Sequence, residues 1–94
     1  MKETDIRNAF RKRFRQLVAE SNQTQVEIAK GTGINKKLIS RYLQGEIIPY
    51  TMNVCRVCEY FQVSADWLLG LTDERRDYEK ADSADLGDGD AFAG

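Results

Sequence analysis

Histidine is absent from this chain of 94 residues, proline occurs once and cysteine twice. Without histidine, a frequent general acid–base and a frequent metal ligand are both missing. There is no glycine-rich phosphate loop and no nucleophile beside a base, so the sequence argues against an enzyme. Cys55 and Cys58 form a C-x-x-C, yet no histidine or further cysteine completes four zinc ligands. Both fall mid-way along an apolar helical pattern, away from any helix N-terminus that would lower a thiol pKa, so they read as core residues. Four thiolates could meet only across a dimer axis. No metal and no cofactor is expected. No apolar run approaches the roughly 18 residues of a membrane span. The opening M-K-E-T-D-I-R-N-A-F has no apolar stretch after its lysine, which speaks against a secretory leader. A cytoplasmic protein that does not engage a membrane is the expectation.

What is present is an uneven distribution of charge. The net value of −1 looks wrong for a partner of nucleic acid. Divided along the chain, residues 1–45 carry ten Lys or Arg against four acids, 46–72 carry one against three, and 73–94 carry three against eight. The first half is basic and the end is acidic, the asymmetry expected of a nucleic-acid-binding protein. An apolar content of 41% with little proline suits a single small helical domain. Its core is modest, so dimerisation is a natural source of further stability. The domain is expected over 1–72, followed by an acidic tail over 73–94. D-E-R-R-D-Y-E-K from Asp73 could add a short helical turn. Beyond Ala81 the Asp, Gly, Ala and Ser composition reads as disordered, and Tyr78 and Phe92 are too isolated to interpret.

Helical spacing of Ile6, Phe10, Phe14, Leu17 and Val18 predicts a first helix over about 6–20. Arg7, Arg11, Lys12, Arg13 and Arg15 occupy its other faces, either solvated or close enough to a DNA backbone to add nonspecific affinity. A fourth helix is expected over 51–61 with Val54, Val57, Cys58 and Phe61 inward. A fifth begins at Ser64 as N-cap, with Asp66 in its first turn, and ends at Gly70.

Between them, T-Q-V-E-I-A-K-G-T-G-I-N-K-K-L-I-S-R-Y-L-Q-G from Thr24 to Gly45 reads as two short helices about a glycine turn. Thr24 and Glu27 have capping-box spacing, Gly33 suits a positive-φ stop, and Asn35 caps the next helix, which runs to Gln44. Lys36, Lys37, Ser40, Arg41 and Gln44 share one side of that helix, and Ile39, Tyr42 and Leu43 the other. A helix N-terminus, two cations and Arg41 are thereby presented as the major groove of DNA requires. Leu38 could touch a thymine methyl or pack on the preceding helix.

Thr24, Gln25, Ile28, Ala29, Gly33, Ile34, Ile39, Ser40, Arg41, Tyr42 and Gly45, with Pro49 and V-S-A-D-W-L-L-G from Val63, resemble in one register the helix-turn-helix of the phage-repressor and Cro (XRE-type) regulators. The resemblance covers about residues 6–72. It implies an all-α, five-helix, lambda-repressor-like domain with the motif at helices 2 and 3 and a flexible acidic tail. It also implies base contacts from Lys36, Lys37, Ser40 and Arg41, with Gln25 on a phosphate assisted by Asn22, Thr24 and Gln44. Dimerisation through the terminal helix follows too, with Trp67 and Leu68 at the interface, although Trp67 could simply cover the core. Two departures stand out. Leu43 occupies a position where the family often has Glu, which suggests an apolar contact with Val18. Gly31 weakens the last turn of the first motif helix.

The function implied is a transcription regulator, a repressor binding a palindromic operator in double-stranded DNA as a homodimer. An alternative from another class is an antitoxin-like interaction module whose acidic tail binds a partner protein.

Overall fold

The apolar stripe of the first helix gives the other helices a surface to pack on. In the computed structural model, which describes residues 1–75, α1 spans Glu3–Ser21. It starts earlier than the apolar spacing predicts, because the Asp5 carboxylate accepts from the Lys2 backbone N–H at 3.1 Å and Glu3 joins it in the first turn. Two carboxylates at a helix N-terminus favour the extra turn through the helix dipole. Phe10, Phe14 and Leu17 are buried along α1, whereas Ile6 and Val18 lie at the margin.

Four shorter helices follow: α2 Gln25–Thr32, α3 Lys36–Gln44, α4 Thr51–Phe61 and α5 Ala65–Leu68. The expected capping box is formed, with Glu27 N–H donating to the Thr24 hydroxyl at 3.1 Å and Thr24 N–H to the Glu27 carboxylate at 2.8 Å. Gly33 ends α2 at φ 79, a conformation that costs a residue with Cβ. The buried Thr32 hydroxyl braces the turn, donating to the Ile28 carbonyl at 2.7 Å and accepting from Ile34 N–H at 3.2 Å. Asn35 then caps α3 through Lys37 N–H at 2.7 Å.

Phe10 and Phe14 stack at 5.3 Å between centroids, and the Tyr42 ring of α3 meets Phe10 edge-on at 5.4 Å. Such aromatic pairs contribute about 0.5–1.5 kcal/mol beyond burial. Ile28, Ile34, Ile39, Val57, Val63 and Leu68 complete the core around them. Among the described residues no helix is long and apolar enough to cross a membrane.

Several sequence expectations change on α4 and beyond. Cys58 is buried but Cys55 is exposed, so only one of the pair belongs to the core. Three residues advance a helix by about 300°, enough to carry Cys55 over the edge of the apolar stripe. The position facing inward there is Asn53, which is 2% exposed and donates to the Tyr42 hydroxyl at 2.8 Å. Arg56 holds the Asn53 carbonyl oxygen at 2.9 Å, so this buried amide is satisfied at both ends.

Gly31 is not merely a weak helix former. A Cβ there would run into the Tyr60 ring, whose hydroxyl donates to the Gln23 side chain at 2.5 Å. The missing side chain leaves room for the Tyr60 ring of α4 to lie against α2. Asp73–Arg75 do not form the helical turn that D-E-R-R-D-Y-E-K suggested; the remainder of that stretch and the predicted disorder lie outside the described residues.

Candidate functional site

Two helix N-termini meet on one face. Gln25 opens α2, Lys36 and Lys37 open α3, and these three with Ser40 line a cleft of about 290 Å³. Packing beneath fixes the arrangement: Ile39 and Tyr42 are 0% and 1% exposed, which turns Lys36, Lys37 and Arg41 outward on α3. The Asn53–Tyr42 hydrogen bond ties the same helix to α4, so the outward row cannot rotate without breaking a buried contact.

A second cleft of about 370 Å³ adjoins the first, sharing Gln25 and Ser40 with it. Arg15, Val18, Ala19, Leu43 and Gln44 make its other walls. Val18 and Leu43, expected to make an apolar contact, line the same groove from α1 and α3. Gln44 donates to the Ser40 hydroxyl at 3.2 Å, and Arg15 donates to the Leu43 carbonyl at 3.3 Å. Arg15 is thereby singled out from the other cations of α1, which sequence spacing left equivalent.

Arg41 stands on the exposed side as anticipated, but with a partner that spacing did not disclose. Its Nε donates to the Glu46 carboxylate at 3.1 Å, both side chains being about half exposed. Glu46 follows the Gly45 cap, where helical periodicity no longer predicts direction, so only its acidic character next to a basic helix was available as a signal. A carboxylate on Nε orients the guanidinium while its terminal nitrogens remain a fork suited to paired acceptors.

Leu38 packs against the core and Thr24 spends its hydroxyl on the cap of α2. Asn22 lies apart from both clefts, as the left-handed C-cap of α1 at φ 57. Trp67 and Leu68, expected at a dimer interface, are buried in the chain's own core at 4% and 0% exposure. Arg13 and Arg75 each place a guanidinium carbon 5.0 Å from the Trp67 ring centre, covering it further. The apolar side chains left exposed at that end are Leu71 and Met1.

The face is an array of hydrogen-bond donors and cations over an apolar base. Burial, with a smaller push from Cys55, raises the Cys58 thiol from its ordinary 9.0 to about 11. Hydrogen bonds from Gln16 and Arg75 hold the Glu20 carboxyl below its usual value.

Comparison with known families returns a match to a helix-turn-helix domain over residues 12–74, which spans every helix from the second half of α1 onward. No match is found among curated proteins or among solved structures.

Proposed function

We propose that this chain, which belongs to the helix-turn-helix domain family, is a sequence-specific transcription regulator that reads double-stranded DNA with α3. One observation carries the reading: Lys36, Lys37 and Ser40 share a single shallow cleft with Gln25 at the start of the preceding helix. In this reading Lys36, Lys37, Ser40 and Arg41 meet base edges, the cations favouring the O6 and N7 acceptors of guanine. Gln25 positions the domain on the phosphates, where the N-terminus of α2 favours an anion, with Gln44 in the adjoining cleft and Thr24 and the more distant Asn22 as further phosphate contacts. Regulation then needs occupancy rather than chemistry, as in a repressor covering its promoter. A homodimer on a palindromic operator would set two copies of α3 into grooves about 34–36 Å apart. Leu71 and Met1, exposed beside α5, support an association at that end.

Selection of bound sequences from a random duplex library at roughly physiological salt tests the reading. An inverted repeat, bound by two chains, is the expected result. Recovery of no motif, with only weak and steeply salt-dependent binding, would overturn it and favour the interaction-module alternative.

A further inference from the structure

The last described residues are fastened to α1. Arg13 donates to the Trp67 and Thr72 carbonyls, each at 2.7 Å, and reaches the Asp73 carboxylate at 3.0 Å. Arg75 pairs with Glu20 at 2.9 Å while lying over Trp67. The segment from Thr72 to Arg75 therefore runs along α1 from Arg13 towards Glu20, to the corner where α1 gives way to α2. Gln25, on the cleft it shares with Lys36 and Lys37, is just past that corner. Residues 76–94 start from this point and carry six Asp or Glu against two Lys or Arg. Helical spacing puts Arg13 and Glu20 on the far side of α1 from Arg15, Val18 and Ala19. Fully extended, the segment reaches at most roughly 65 Å, ample to pass round a helix about 10–12 Å thick.

We propose that the cleft face is an intramolecular docking surface for the acidic segment 76–94, whose carboxylates compete with DNA phosphates for Lys36, Lys37 and their neighbours. The idea rests on the DNA-reading proposal for that face. Fastening at Arg75 makes the encounter intramolecular, with an effective concentration on the order of millimolar. Paired charges at the surface are individually weak and screened by salt, so the segment is a competitor that specific binding can displace. Because every duplex must displace the segment from the same face, arbitrary and cognate sequences lose affinity to it by a similar factor.

The test uses the full chain with all six acids neutralised: Asp77→Asn, Glu79→Gln, Asp82→Asn, Asp85→Asn, Asp88→Asn and Asp90→Asn. Without DNA and at low salt, the backbone amide resonances of Gln25, Lys36 and Lys37 should differ between this variant and the unaltered chain. The difference should collapse at roughly 0.5 M salt. On a random-sequence duplex at low salt the variant should bind at least about tenfold more tightly, with a similar gain on a selected site. Coincident resonances overturn the docking even if DNA affinity rises, since repulsion between tail and DNA alone would then account for the gain. A resonance difference with no DNA binding by either form supports the docking and overturns the DNA reading instead.

Discussion

Arg41 has a carboxylate partner five residues along the chain, and that partner changes how its replacement should be read. Arg41→Ala should cost about 1–3 kcal/mol on a selected operator and relax the preference at one base position. Gln25→Ala should weaken all sequences more evenly; binding constants on cognate and scrambled duplexes distinguish the two. Glu46→Gln should raise affinity for scrambled DNA, because the guanidinium then faces phosphate without a competing carboxylate. Cys58 makes a prediction about pH. Its thiol is pushed up to about 11 in the folded chain, so above about 9.0 the unfolded chain gives up this proton first. Stability should fall between those pH values by on the order of 1–3 kcal/mol on this account, and denaturant titrations of Cys58→Ala should show a shallower alkaline fall than the parent. Lys36, Lys37 and Arg41 were legible because a helix converts spacing into a shared face. Glu46 and the exposure of Cys55 were not, since each depends on where a helix edge falls against its neighbours.

The helices themselves were written in caps and stops. Thr24, Glu27, Gly33 and Asn35 act through backbone groups a few residues away, which is why α2 and α3 could be bounded from the sequence. Pairing between helices is another matter. Asn53 looks like a surface residue in an apolar stripe, and only the approach of Tyr42 from α3 makes it a buried clamp. Asn53→Ala should cost about 1–3 kcal/mol by orphaning the Tyr42 hydroxyl. Gly31 was read as a loss of helix propensity, yet its role is to admit the Tyr60 ring. Propensity alone predicts that Gly31→Ala stabilises α2; the clash predicts a loss of about 1–3 kcal/mol. A double-mutant cycle with Tyr60→Ala, followed by denaturant unfolding, should return a coupling energy that removes most of that loss.

Across the whole molecule, the basic half and the acidic end predict that DNA binding weakens steeply with salt although the sequence pI is about 5.4. Affinity on a selected site should fall with a log–log slope of about −0.9 for each phosphate neutralised, and Arg15→Ala should flatten it by about 1 if that side chain meets the backbone. The class of fold and the charge partition were both open to inspection in the sequence. The burial of Trp67 within the single chain was not: an aromatic in a terminal helix suits an interface as well as a core, and its packing depends on contacts that spacing does not disclose. Arg13 belongs to the first helix and its acceptors to the end of the domain. During synthesis the ribosome delivers that arginine, and the aromatic stripe beside it, long before the carbonyls and Trp67 exist. Tyr42 and Phe61 can already cover Phe10 and Phe14 by then, but the Arg13 guanidinium stays without its carbonyl acceptors until Thr72 has been added. A chain cut short before Thr72 should therefore unfold at lower denaturant than one that ends after Arg75, since only the longer chain closes the Arg13 contacts.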